Sequence, residues 1–188
     1  MLKEIQEHKK HIGIVGFRNV RINKIEQFLD LVDKEKPVDA EVQFFNAEFI
    51  ATWQHLYFAA LNALAAFYNK QNISNSVAME TMLYTSAQHQ IKVATQSIGI
   101  KPDTHTIAAL VIADATASVT KTLHAISKIL DAEPDDTALE FTKQKEEAIK
   151  KMFRISRTEL QTARENNRTE QALANLVIER MALLATHH

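Results

Sequence analysis

From Phe49 to Asn69 the chain contains no Asp, Glu, Lys or Arg. A segment of that length must span a bilayer or run through the middle of a folded core, since a bilayer needs about 20 apolar residues. Its spacing decides between the two. Phe49, Trp53, Leu56, Ala60, Leu64 and Phe67 fall on one apolar stripe at helical period. Thr52, His55, Ala59, Asn62, Ala66 and Asn69 form a second stripe of small or polar side chains, which hydrocarbon does not reward. The segment therefore reads as the central helix of a globular domain. At 188 residues the chain has room for one such core and no second full domain.

Around that helix the pattern predicts strands and further helices. Lys10 to Phe17 is β-branched and ends in the Arg18-Asn19 turn signal. Ile22, Ile25, Phe28, Leu29 and Val32 keep helical spacing up to Pro37. Glu41 to Phe45 reads as a strand with Val42 and Phe44 on one side and Phe45 on the other. After a break at Gln71 to Ser74, with Asn72 or Ser74 as N-cap, a helix is expected as far as Ile98, closed by Gly99. Its core face is Met79, Leu83, Ala87, Ile91, Ala94 and Ile98. His105 to Ala113 is a third strand, and Asp114 is placed to cap a helix carrying Val119, Leu123, Ile126 and Leu130. The last fifty or so residues are helical, with Ser156-Arg157-Thr158-Glu159 as a capping box and Thr169 at the start of the final helix. The expectation is one α+β domain over residues 1–188, a sheet of three to four strands packed among several helices. Residues 1–9 are expected to fray, and His187 and His188 to be a tag remnant.

Motif chemistry is sparse. There are no cysteines, which removes disulfides, thiolate nucleophiles and cysteine zinc sites. With only Gly13, Gly16 and Gly99, neither phosphate-loop fingerprint is complete. The eight histidines are poorly spaced for a metal. Glu80 stands out inside the apolar run Val77 to Tyr84, where a carboxylate must satisfy a neighbouring turn at Ser74 and Ser76 or act as a base or partner-binding acid. Lys143, Lys145, Lys150, Lys151, Arg154 and Arg157 cluster late in the chain, as a solvated helix face or as a contact for an acidic partner or phosphates. A net charge of −1 argues against nonspecific coating of nucleic acid. An N-terminus without an apolar run and the absence of cysteine fit a cytoplasmic protein.

The stretch Asn72 to Ile91 carries a more specific pattern. It resembles the central signature of the smallest core subunit of the KEOPS complex, the PRPK-binding protein (TPRKB-like) family. That signature is a Met-Glu-x-Leu-Leu core followed by Ser-x-x-x-Gln-Ile, matched here by Met79-Glu80-Thr81-Met82-Leu83 and by Ser86 with Gln90-Ile91. Other pieces agree in order: Gln43 to Ala47, then His55-Leu56 and Ala59; Gly99-Ile100 and the strand Ile107 to Ile112; Lys145 to Ile149, Phe153-x-Ile155-Ser156, Glu159-Leu160 and Glu179-Arg180. Members often carry Arg where this chain has His89, which is mostly neutral near pH 7 and would hold phosphate or carboxylate less firmly.

The resemblance implies a non-catalytic regulatory subunit without cofactor, metal or small-molecule substrate. It would dock on the small kinase-like ATPase subunit, promote its activity, and help recruit transfer RNA by its single-stranded 3′ end. A different subunit transfers threonylcarbamoyl to adenosine in that RNA. On this reading Ile155, Leu173, Leu176 and Val177 are the docking candidates, although the same residues serve equally as intramolecular core. Arg18, Lys70, His89 and Lys92 are the RNA candidates, expected to bind in a salt-sensitive way. Two rivals come from other classes: a hydrolase pairing Glu80 with His55 or His89, and a module self-associating through the Thr52–Asn69 stripe.

Overall fold

The strand Ile107–Ala113 (β4) is buried at every residue. An antiparallel strand with one wet face alternates, so a continuous apolar run means that both faces are covered. The computed structural model, which describes residues 1–164 and 168–186, shows how. β4 pairs antiparallel with Lys10–Phe17 (β2) on one side and with Glu41–Asn46 (β3) on the other. Leu2–Ile5 (β1) pairs with the outer edge of β2, giving a four-stranded sheet in the order β1-β2-β4-β3.

One face carries Val15, Phe17, Phe44, Ala109 and Val111, packed on helices Ile25–Glu35 (α1) and Thr116–Leu130 (α5) through Phe28, Val32, Val119 and Ile126. The other carries Ile12, Ile14, Phe45, Leu110 and Ile112, covered by Trp53–Tyr68 (α2) and Val77–Ser86 (α3). Phe44 and Phe45 thus point to opposite cores, as the period-two reading of β3 requires. At about 1.5 to 3 kcal/mol per buried large apolar side chain, these two cores dominate the fold. A third cluster joins Lys143–Phe153 (α6), Arg157–Ala163 (α7) and Thr169–Thr186 (α8). The capping box at Ser156 and Glu159 is formed with both reciprocal bonds.

Several local expectations are corrected. Residues 1–9 do not fray: they build the edge strand, and the Met1 amino group donates to the Ile14 carbonyl at 2.7 Å. The second helix after Gln71 is two, because the chain turns at Ala87 in left-handed backbone (φ 51°) and restarts as Ile91–Ile98 (α4). Ile91 is consequently exposed and not part of the core. The N-cap of α3 is Ser76, whose Oγ accepts from the Met79 amide, and not Asn72 or Ser74. Asp114 does not cap α5 but pairs with Lys10.

Both stripes of α2 contribute to the core. Leu56, Ala60 and Leu64 of the apolar stripe are buried, and so are His55, Ala59 and Ala66 of the small and polar one, together with Ala63, while Trp53, Tyr57 and Phe58 stay partly exposed. Small side chains let two helix backbones approach closely, so the second stripe serves as a packing seam. Gly16 works by the same logic. A Cβ there would lie 2.5 Å from the Ala138 Cβ and 2.7 Å from the Asp135 carbonyl oxygen, so glycine admits the acidic loop against β2. His187 and His188 lie outside the described residues.

Candidate functional site

α3, the helix of the signature, is buried almost all round, and its polar side chains are spent within the protein. The Thr81, Thr85 and Ser86 hydroxyls donate back to the carbonyls of Val77, Thr81 and Met82. The fully buried Glu80 turns one oxygen, Oε2, to the preceding loop, where it accepts from the Ile73 amide (3.0 Å), the Ser74 amide (2.8 Å) and the Ser74 hydroxyl (2.8 Å). From the sheet edge, the Glu41 carboxylate accepts from the Ala78 amide at 2.9 Å. Two carboxylates and Ser76 thus hold the start of α3, which answers the sequence question about Glu80 in favour of the neighbouring turn.

At the other end of α3 stands His55, completely buried. Its Nε2 donates to the Thr85 carbonyl (2.9 Å) and its Nδ1 accepts from the Ala51 amide (3.3 Å), which sets the tautomer. Phe153 meets the ring edge-on at 5.6 Å. Burial, opposed by the Thr85 hydrogen bond, lowers its pKa from 6.5 to about 4, so the imidazole is neutral near pH 7. Glu80 and His55 occupy opposite ends of a ten-residue helix, and the hydrolase pair Glu80–His55 is not assembled.

The turn between α3 and α4, together with α6 and α8, lines a notch of about 400 Å³. Ser86, His89, Phe153, Arg154, Arg180 and Leu184 form its walls. Arg180 donates to the Glu159 carboxylate, which also accepts from the Ser156 amide at 2.7 Å. The Ser156 amide, then the Ser156 hydroxyl and Arg180, pull the Glu159 pKa down to about 2. Arg180 is therefore balanced by an ionised carboxylate, and the cationic character of the notch rests on Arg154, with His89 also in its lining.

The four RNA candidates are not brought together. His89 is in this notch and Lys92 is exposed on α4. Lys70 follows the far end of α2, opposite His89 along the α2–α3 pair. Arg18 lies elsewhere, its Nε donating to the Thr137 hydroxyl (2.9 Å), its Nη2 to the Thr137 carbonyl (2.6 Å), with an ion pair to Asp135 at 3.5 Å. The docking candidates Ile155, Leu173, Leu176 and Val177 are all buried in the third core, against Ile149, Phe153 and Leu160. In the free chain they hold α6 to α8 together and present no open face. The Thr52–Asn69 stripe is likewise occupied by α3, because His55, Ala59 and Ala66 are already buried there.

A surface that the sequence reading did not single out runs along α2 beside β1. Trp53 and Tyr57 meet edge-on at 6.1 Å, Phe58 is 40% exposed, and the Lys3 ammonium lies 4.7 Å above the Trp53 ring and 5.0 Å above that of Tyr57. Such a pairing is a cation–π contact, worth about 0.5 to 1 kcal/mol at an exposed site. The signal was in the sequence: bulky aromatics lie outside the small-residue seam of the same helix. Among the described residues no cluster of His, Asp and Glu could hold a metal ion, and no helix is long and apolar enough to cross a membrane.

Residues 17–185 match the family model of the kinase binding protein CGI-121. The chain belongs to that family. Regulatory protein Cgi121 of Methanocaldococcus jannaschii is 30% identical to it over 142 residues, which span 76% of this chain and 83% of the archaeal protein. In this CGI-121 family member the matched residues run from the end of β2 and include the α3 signature and the lining of the notch.

Proposed function

We propose that the protein is a non-catalytic regulatory subunit of a KEOPS-type complex, acting in the cytoplasm, that binds the kinase-like ATPase subunit and helps recruit transfer RNA for threonylcarbamoyladenosine modification. The observation that carries this reading is the family match over residues 17–185. The chemistry of the site is in keeping with it. The buried carboxylate of the signature helix and the buried imidazole of α2 bond backbone groups at the two ends of that helix, and the surface offers binding features: an aromatic face and a cationic notch.

For the kinase-like partner, the aromatic face of α2 replaces the buried C-terminal residues as the docking surface. Partly exposed Trp and Tyr are the side chains that dominate interfaces. Mixed at micromolar concentration with the kinase-like subunit of the same organism, the chain should co-elute on size-exclusion chromatography, and Phe58→Glu should separate the two. Separate peaks for the wild-type mixture would refute kinase binding. For RNA, the notch supplies Arg154 as its cation beside His89 and the Glu159-paired Arg180, and affinity should fall with salt as phosphate contacts displace counterions. Filter binding that is equal for intact and 3′-trimmed transfer RNA would refute recognition of the 3′ end.

A further inference from the structure

A second polar cavity, of about 410 Å³, opens between the end of β2, the start of β4 and the first turn of α6. This is the size range of small-molecule sites. Its floor holds Lys145, which is 7% exposed. The ammonium donates once, to the Ala138 carbonyl at 2.8 Å, and among the described residues it forms no ion pair. A buried charge without a counterion is costly, and proteins ordinarily pair it. Lys145 sits in the first turn of α6, whose amide dipoles are also positive at that end, and the Thr142 hydroxyl uses only one of them, accepting from the Lys145 amide at 3.2 Å. His105 commits its Nδ1 to the Val20 carbonyl, leaving Nε2 available at the rim. Arg18 is held by Thr137 and Asp135.

We propose that this cavity binds a small carboxylate monoanion that carries hydrogen-bond donors, with the Lys145 ammonium and the first turn of α6 holding the carboxylate and Glu48 and Asp103 at the rim accepting from the donors. The placement of charge selects the ligand. The Lys145 ammonium, in no ion pair among the described residues, faces one negative charge at the floor, and the rim carboxylates Glu48 and Asp103 oppose the second charge of a dianion such as phosphate. The cavity is separate from the notch and from the aromatic face, so the site stands or falls independently of kinase or RNA binding.

Protonation of Lys145 supplies the readout. Burial first, then the charge of Arg18, lower its pKa from 10.5 to about 8, with Glu140 opposing. His55 is neutral at these pH values, while Glu48 and Asp103 face the same cavity. An anion that binds the ammonium form more tightly than the amine raises that midpoint at saturation, by one pH unit for each tenfold preference. The experiment is an NMR titration of the Lys145 Cε–Hε resonance in the full chain from pH 6 to 11, with sodium glycolate, acetate, phosphate or chloride at equal ionic strength. Glycolate should move the midpoint upward by about one unit or more, acetate less, phosphate and chloride not at all. Lys145→Met should abolish glycolate-induced shifts of the Thr142 and Thr104 amides. Lys145→Arg, which keeps the charge if the Met variant fails to fold, should make binding insensitive to pH across the range. Equal midpoints in glycolate and chloride would overturn the site, and a larger shift with phosphate than with glycolate would overturn the selection for a monoanion.

Discussion

Replacing Glu80 with alanine tests whether the signature carboxylate is an internal clasp. The substitution strips the acceptor from three donors at once: the Ile73 and Ser74 amides and the Ser74 hydroxyl. The hydroxyl retains the Ser76 carbonyl at 2.8 Å, and Ile73 lies at the surface where water replaces the lost bond. Ser74 is 2% exposed, so its amide bears the cost, about 1 to 3 kcal/mol for a buried donor left unpaired. The two other weakened bonds and the void left by one methylene and the carboxylate group add about 2 kcal/mol, for a total of about 3 to 5 kcal/mol. In a domain of this size that lowers Tm by about 6 to 20 °C. Glu80→Gln keeps one carbonyl acceptor and should cost about 1 to 2 kcal/mol. Thermal unfolding followed by circular dichroism, with urea midpoints at unchanged m-value, reads both variants. A Glu80→Ala protein that melts within about 2 °C of wild type would refute the clasp.

Three further outcomes follow from the same coordinates. His55 takes up no proton in the folded state until about pH 4, whereas the unfolded chain does so from 6.5, so stability should drop by about 3 kcal/mol as pH falls through that window. His55→Gln, which retains a donor and an acceptor, should flatten that drop in urea midpoints measured at pH 7 and pH 4; an unchanged slope would count against the assignment. Ser156→Ala removes one half of the capping box and should cost about 1 kcal/mol, or about 2 to 4 °C in a thermal melt. Gly16→Ala forces a methyl against the Asp135 carbonyl and Ala138 and should cost about 1 to 3 kcal/mol by urea unfolding, whereas Gly13→Ala meets the side chains of Val119 and Leu123 and no backbone atom, and should cost less.

Local chemistry was readable wherever it acts within a few residues. The bounds of β2 and the opposite facing of Phe44 and Phe45 follow from the two-residue period, and the capping box follows from hydroxyl-to-amide reach across three positions. The break between α3 and α4 was missed because no glycine or proline marks it. Ala87 adopts left-handed backbone, closing α3 with its own amide on the Leu83 and Tyr84 carbonyls, so the turn is stabilised by bonds that leave no compositional trace. The strand at residues 2–5 was missed for the complementary reason. Its mixed, mostly exposed side chains carry no pattern, and the unpaired edge of β2 is what orders it.

On its own, then, the sequence determined that an uncharged helix runs through the centre of an α+β domain, and the ordered motifs pointed to a family that the match over residues 17–185 establishes. Tertiary structure decided how much of that helix is covered: His55, Ala59, Ala63 and Ala66 are buried as fully as Leu56, Ala60 and Leu64, while Trp53, Tyr57 and Phe58 keep some exposure. It also moved Ile155, Leu173, Leu176 and Val177 into the core, and placed Lys145, one cation in a basic run, beneath a cavity. The reason is physical. Periodicity tells which side chains share a face, but what covers that face is set by residues far along the chain, and burial, pairing and pKa all depend on the cover.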